Sequence, residues 1–246
     1  MQDDILVKTA DGSNTLLSNK YKEHFHNIKD GSISEALNKH IIPAFTYHKN
    51  KKKLNILDIC YGIGYNTLAS IYYVYKNNLD IKLNIYSVEL NFNLVKSLKN
   101  FAYPKEFENL KNIINEISIK QKYEDKNIKI EVAILNAREY IKKFPEDFFD
   151  IVYQDAFSSR VNIELWTKEY FDDIYKICKQ NSILTTYAVA TAVRLSMSEA
   201  KFFIYELQQR NKITLALKTK NQLNARLIDM KLKKTLNPKA SALYDS

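Results

Sequence analysis

Glycine and proline are scarce in this chain, with four of each in 246 residues. Turns must therefore be made by Asn, Asp, Lys and Ser. A search that counts glycines will under-read such a sequence, and each glycine that remains is more informative than usual. Cysteine is scarcer still. Cys60 and Cys178 form no CxxC pair and no Cys/His cluster at ligand spacing, which argues against a disulfide framework and a structural zinc site. Long apolar runs are missing too, and the opening MQDDILVK is acidic where a secretory leader is basic. Neither a membrane span nor a signal peptide is expected, and a reducing cytoplasm is the expected compartment. Acids are outnumbered by bases, 28 to 37, for a formal charge of +9. A surplus of that size suits a polyanionic partner and says nothing about fold.

What is present is a 46% hydrophobic composition, which excludes wholesale disorder and supports a sizeable core. The basic surplus is uneven. Arg210 to Lys239 holds nine bases and one acid, Asp229, and Lys49 to Lys53 holds four lysines in five positions. Apolar stretches on either side of Asp11-Gly12 in ILVKTADGSNTLLSN, residues 5 to 19, predict a β-hairpin. A helix is predicted from Ser32, where Ser32 and Glu35 have capping-box spacing and Ala36, Leu37, His40, Ile41 and Ala44 share one face, with Pro43 near its end.

From Leu54 short β-rich runs alternate with amphipathic segments. Strands are predicted at Leu54 to Cys60, Leu83 to Leu90, Ile128 to Asn136, Phe149 to Phe157, Ile183 to Ala188 and Ile213 to Lys218. Helices are predicted at Thr67 to Lys76, Phe92 to Phe101, Phe107 to Lys120, Arg138 to Phe144, Glu164 to Lys179 and Thr191 to Arg210. Ala225 to Met230 and Ala240 to Tyr244 read as further strands. This alternation implies an α/β, Rossmann-like doubly wound fold with a mostly parallel sheet, because parallel strands need crossover connections. With no repeat and no Gly/Ser/Pro linker, the expected division is a hairpin and helix extension over residues 1–48 and a Rossmann-like domain over residues 49–246.

In such a sheet ligands bind at the carboxyl ends of the strands, near the switch point. The first strand ends in LDICYGIGYN, residues 57 to 66, and opens into a helix. Gly62 and Gly64 let backbone pass close to a ligand, and the helix start offers free N–H donors. Cys60 stands where another glycine would be expected. Glu89 ends the second strand, where an acid meets paired ribose hydroxyls. Asn136-Ala137 ends the third, placed to read an adenine edge. The fourth ends in YQDAFSSRVNIELW, which puts Asp155 at the lip of the same crevice and follows it with a loop.

Asp58 to Asn66, Glu89 and above all DAFSSRVNIELWTKEYF, Asp155 to Phe171, together resemble the methyltransferase domain of the MnmC-type tRNA 5-methylaminomethyl-2-thiouridine biosynthesis family. Asp155, Ala156, Phe157, Asn162, Leu165, Trp166 and Thr167 match that family's Asp-Gly/Ala-Phe and Asn-Pro-x-Met/Leu-Trp-Thr elements, with Ile163 in the place of the proline. Thr9 to Asn27 resembles the family's Asp-Gly-Ser turn and Glu-His-aromatic-His opening, and Val193-Arg194 matches a Val-Arg pair after its fifth strand. The resemblance runs to about Leu207. The departures are Cys60 for the first loop glycine, Asn136 for a frequent acid, and Lys179-Gln-Asn-Ser182 for a Pro-Gly-Gly turn, all consistent with a glycine-poor composition.

The resemblance implies a seven-stranded class I methyltransferase fold and S-adenosyl-L-methionine as methyl donor, with neither metal nor flavin. It implies cofactor contacts from Asp58, Cys60, Gly62, Gly64, Asn66, Glu89, Asn136, Ala137 and Asp155. The substrate it implies is the primary amine of 5-aminomethyl-uridine at the wobble position of a tRNA, on 2-thiouridine or not, with the anticodon stem-loop as partner rather than DNA or a membrane. Asp155 would orient the amine and stabilise the developing cation. Phe157 and Tyr187, with Trp166, would wall an unstacked base, and Arg194, His24 and His26 would contact substrate near the mouth. For Trp166 a core position is an equally good reading. The family's flavin-dependent oxidoreductase has no room in this length, so a standalone methyltransferase is expected, with any precursor step done by another polypeptide. Two other readings compete: an aminopropyltransferase of the spermidine synthase type, and a non-catalytic RNA-binding protein on a methyltransferase scaffold.

Overall fold

Asp11 organises the start of the chain. In the computed structural model, which describes residues 4–208, 211–221 and 223–246, β1 (Ile5–Lys8) and β2 (Asn14–Leu17) form the expected antiparallel hairpin, with Lys8 opposite Asn14. Inside the turn Asp11 Oδ1 accepts the Ser13 and Thr9 hydroxyls and the Ser13 N–H. Its Oδ2 accepts the Ser34 N–H at 2.9 Å, in the first turn of α1 (Ser32–Ala36). The expected Ser32/Glu35 capping box does not form. Gly31 is the N-cap without a side-chain bond, and Glu35 turns back to the Asn27 N–H and the Lys39 ammonium, both at 2.6 Å. Asp11 takes over the capping role from a distance. Gly31 makes this approach possible, since a Cβ there would lie 2.0 Å from Asp11 Cγ.

The helix continues through a π turn, Leu37–Ile41, into α2 (Ile42–Tyr47), so Pro43 lies inside a longer helix than expected. The wider π turn lets the chain pass Pro43, which cannot donate a backbone bond.

The chain divides into two compact units, Met1–Asn136 and Ala137–Ser246; the boundary expected after residue 48 falls inside the first. After the hairpin and helix, the first unit builds β3 (Lys53–Ile59), α3 (Tyr65–Lys76), β4 (Lys82–Glu89), α4 (Phe92–Ser97), α5 (Lys111–Lys120), β5 (Lys122–Glu124) and β6 (Ile128–Ile134). β3, β4 and β6 are parallel neighbours, and the short β5 pairs antiparallel along the β6 edge. β3 is buried almost along its whole length, as a doubly covered parallel strand should be.

The second unit contains α6 (Ala137–Ile141), β7 (Phe149–Gln154), α7 (Lys168–Ile177), β8 (Cys178–Thr186), α8 (Thr191–Glu199), β9 (Phe203–Gln208), β10 (Lys212–Leu217), β11 (Arg226–Leu227) and α9 (Met230–Leu236). β7 and β8 are parallel, whereas β8, β10, β9 and β11 pair antiparallel in that order. The short edge strands β5 and β11 bring the total beyond the seven expected. At the place of the family's Pro-Gly-Gly turn, β8 has already begun. Its register against β7 shifts between Cys178 and Ile183, so Lys179 to Ser182 form an irregularity within the strand.

The helix expected over Thr191 to Arg210 is overturned: α8 stops at Glu199 and β9 follows, while Gln209 and Arg210 lie outside the described residues. The stop is a Schellman motif without glycine. Lys201 takes φ 75°, its N–H bonds the Ser198 carbonyl, and the Phe202 N–H bonds the Met197 carbonyl. α3 ends the same way on Asn78 at φ 50°. The tail also departs from expectation. Only Arg226–Leu227 of the Ala225 to Met230 run is strand, and no strand forms over Ala240 to Tyr244. The tail is instead tied down by Arg138 and Asp245, which form two 2.6 Å bonds, and by Leu243, whose carbonyl accepts the Lys168 N–H at 2.7 Å.

Candidate active site

The strand end at Ile59 delivers Cys60, Tyr61, Gly62, Ile63 and Gly64 into a fixed loop. Tyr61 N–H bonds the Val88 carbonyl of the neighbouring strand, Gly64 N–H bonds the Tyr61 carbonyl, and the Tyr103 hydroxyl holds the Ile63 carbonyl at 2.6 Å. Gly64, at φ 79°, opens α3, and a Cβ there would lie 2.7 Å from the Tyr61 hydroxyl. Gly62, at φ 55°, would meet Phe25 at 3.0 Å. Both glycines are thus required by backbone conformation and by space. Cys60 adopts φ 65°, so the residue in the glycine's place keeps the glycine's left-handed backbone.

Glu89 reaches this loop directly: Oε2 accepts the Gly62 N–H at 3.0 Å and Oε1 accepts the Asn91 N–H at 2.9 Å. A half-buried carboxylate is thus pinned beside the glycine loop at the end of β4. Burial pushes its pKa above the usual carboxylate value, and the N–H bonds from Asn91, Gly62 and Leu90 oppose that shift. Asp58 is only 1% exposed and accepts the Thr67 hydroxyl at 2.7 Å, fastening the strand end to the helix start. Its charge, after burial, helps to push the Tyr61 phenol far above its ordinary pKa. Asn66 is buried in the first turn of α3 and Asn136 is half-buried beyond β6. His26 is buried edge-on to Tyr65 at 5.0 Å, with Nδ1 3.4 Å from Glu35, and His24 is half-buried in a bridge to Leu17. The residue against Gly62 of the glycine loop is Phe25, the aromatic between those two histidines.

In the second unit β7 runs into Asp155, and the backbone around it is clamped by side chains. Gln154 Nε2 donates to the Leu165 carbonyl and Oε1 accepts the Tyr170 hydroxyl, both at 2.8 Å. The Tyr187 hydroxyl donates to the Ala156 carbonyl at 2.9 Å, and Trp166 Nε1 donates to the Phe157 carbonyl at 2.8 Å. Trp166 is fully buried, edge-on to Tyr187 at 6.0 Å, so its core reading holds and its N–H serves the loop. Thr167 is the N-cap of α7, accepting the Tyr170 N–H. The Asn-to-Thr element that follows Asp155 is therefore a scaffold for the loop. Asp155, Phe157 and Tyr187 are half-buried, while Ala137 is buried at the head of α6.

This scaffold and the glycine loop match known proteins. The sequence profile of the S-adenosyl-L-methionine-dependent methyltransferase family matches residues 99–219, which include the Asp155 loop, Tyr187 and Arg194. The crystal structure of MnmC2 from Aquifex aeolicus is 27% identical and superposes at a TM-score of 0.86, covering 98% of this chain and 78% of that one. Residues 99–219 thus carry the profile of that methyltransferase family. The fold is the Rossmann-like α/β fold of S-adenosyl-L-methionine-dependent methyltransferases. An uncharacterised protein of Methanocaldococcus jannaschii is 30% identical over 228 residues, 89% of this chain and 61% of the relative. The tRNA 5-methylaminomethyl-2-thiouridine biosynthesis bifunctional protein MnmC of Campylobacter fetus is 24% identical over 178 residues, 65% of this chain and 27% of that one. The chain thus spans less than two thirds of the length of either relative.

The residues of the first unit fit the methyl donor. Gly62 and Gly64 hold backbone close, and Glu89 sets a carboxylate at the strand end where a ribose hydroxyl would meet it. Arg194 is placed differently from the sequence expectation. It is 1% exposed, with Nε donating to the Thr214 hydroxyl and Nη1 to Glu206, both at 2.9 Å. Thr214 passes the bond on to the Ala188 carbonyl at 2.6 Å, so Arg194 acts on the segment after Tyr187 through Thr214. Among the described residues no group of three His, Cys, Asp or Glu side chains is gathered to hold a metal, and no helix is long and apolar enough to cross a membrane.

Proposed function

We propose that this protein is an S-adenosyl-L-methionine-dependent methyltransferase that transfers a methyl group to the primary amine of 5-aminomethyl-uridine at the wobble position of tRNA, in the cytoplasm. The observation that carries the reading is the match to Aquifex MnmC2 over nearly the whole chain. The clamped Asp155 loop supports it, because amine methylation asks chiefly for an oriented nucleophile.

S-adenosyl-L-methionine supplies an electrophilic methyl group when bound. The chain's task is to present an amine lone pair in line with it and to keep water out. Asp155 accepts a hydrogen bond from the amine, which fixes its direction and stabilises the positive charge that develops on nitrogen. With the donor bound, the amine lone pair would form the new N–C bond, the electron pair of the broken bond would stay with the donor, and the extra proton on the amine would pass to solvent. The bonds to the carbonyls of Ala156 and Phe157 keep the Asp155 carboxylate on target without reorganisation during the reaction. Phe157 and Tyr187 flank the same loop as stacking surfaces for the base. The basic stretches at Lys49 to Lys53 and along the C-terminal third contact tRNA phosphates, which position RNA without reading it.

The direct test is transfer of labelled methyl from S-adenosyl-L-methionine to two tRNA preparations, one carrying 5-aminomethyl-uridine and one with unmodified uridine. Label is expected in the first alone; equal labelling of both, or of neither, would overturn the amine assignment.

A further inference from the structure

The antiparallel extension of the second unit gathers cations around a single acid. Glu206 on β9 is paired with Arg194 from α8 at 2.9 Å, with Arg226 from β11 at 2.7 Å and with Lys212 at the start of β10 at 3.6 Å. Lys233, in α9, lies within the electrostatic reach of Arg194, Glu206, Arg226 and Lys212. Donors exceed acceptors here: Arg194 Nη2 is buried with no hydrogen-bond partner among the described residues. Arg226 and Lys212 are largely exposed, so the excess positive charge is presented to solvent.

The ionisation of the cluster reports the same imbalance. Burial opposes the ionised form of Glu206, yet the bonds from Arg194 and Arg226 hold its pKa below the usual value. Lys233 is pushed the other way, below the usual lysine value, first by burial and then by Arg194, with Arg226 and Lys212 adding to the repulsion and Glu206 relieving part of it. A group of cations that share one carboxylate is under mutual repulsion in the isolated chain, and a bound anion removes it.

We propose that Lys212, Arg226 and Lys233, set around Glu206, form a phosphate-binding site that grips the RNA backbone. The inference rests on tRNA being the substrate, and it goes further by naming which cations of the basic C-terminal stretch act together. Two properties favour a nucleic-acid phosphate. The site lies within a stretch holding nine bases to one acid, so successive phosphates meet the same sign of charge. Its exposed members, Lys212 and Arg226, sit at the starts of β10 and β11, able to reach a backbone that passes over them.

The experiment compares tRNA binding across a salt series for the wild type, a triple variant Lys212→Gln/Arg226→Gln/Lys233→Gln, and a control Lys111→Gln/Lys120→Gln/Lys129→Gln. The control removes as many charges from lysines of the first unit that already have acidic partners. The cluster triple is expected to weaken binding at least tenfold near physiological salt and to flatten the log Kd against log salt slope by about two, while the control keeps the wild-type slope. S-adenosyl-L-methionine binding, unchanged in all three proteins, shows that they are folded. Single Arg226→Gln, at the most exposed member, is expected to flatten the slope by about one. Equal slopes for the cluster triple and the control, with methyl transfer to tRNA intact, would overturn the phosphate site and leave the proposed function standing. Absence of tRNA binding by the wild type would overturn both.

Discussion

Cys60 occupies a glycine position and pays in backbone strain. A left-handed conformation costs a residue with a Cβ about 1–2 kcal/mol, and glycine recovers that while losing about 0.4–1 kcal/mol through the greater freedom of its unfolded chain. Cys60→Gly is therefore expected to stabilise the protein by between about 0 and 1.6 kcal/mol, raising the melting temperature by about 2–4 °C per kcal/mol. A melting temperature that falls would show that the thiol makes contacts worth more than the strain. Glu89 offers a sharper test of the loop. Glu89→Gln removes one charged acceptor, and hydrogen bonds to charged groups contribute about 1.5–3 kcal/mol. Titration calorimetry should show S-adenosyl-L-methionine binding weakened by about 10- to 100-fold. Because burial raises the Glu89 pKa above the usual 4.5, wild-type affinity should begin to fall as pH drops toward that raised value, and the Gln variant should lack this dependence. Equal affinity and equal pH profiles for the two proteins would remove Glu89 from the cofactor site.

The junction of hairpin and helix shows how single side chains organise elements in a glycine-poor chain. Burial raises the pKa of Asp11, but the bonds from Ser13, Ser34 and Thr9 outweigh it and hold the carboxyl below its usual 3.8. A carboxyl depressed in the folded state contributes stability that is present above its unfolded pKa and is lost as pH falls through the folded value. Melting temperature should therefore decline below about pH 4, and Asp11→Asn should flatten that decline; parallel curves would mean that other carboxylates govern it. The same region shows what the sequence made legible. The Asp11-Gly12 hairpin, the strand starting near Leu54 and the strand at Ile128 follow from local apolar pattern and were readable. The end of α8 was not, because Lys201 holds the position where glycine usually announces a stop, and β9 is defined by pairing with β10. The capping box at Ser32 failed for a related reason, since Asp11 is remote in sequence and nothing local marks it as the cap.

Across the whole molecule, candidate residues stood out in the sequence where a chemical role asks for a residue type, and what packs around them did not. Gly62, Gly64, Glu89 and Asp155 were singled out as types that suit a nucleotide loop and an amine nucleophile. The packing of Phe25 against Gly62, and the donors of Trp166 and Tyr187 to the Asp155 loop, became visible only through three-dimensional contacts. Arg194 shows the reverse error, since an arginine after the fifth strand suggests a substrate contact and the fold commits it to Thr214 and Glu206. If Asp155 directs a methyl group to the side-chain amine of a wobble uridine, nucleoside mass spectrometry will show it in tRNA carrying 5-aminomethyl-uridine, incubated with S-adenosyl-L-methionine and either wild type or Asp155→Ala. One added methyl on that nucleoside is expected with the wild type, and a loss of at least about 100-fold in rate with the variant; an unchanged nucleoside, or equal rates for the two proteins, would contradict the assignment.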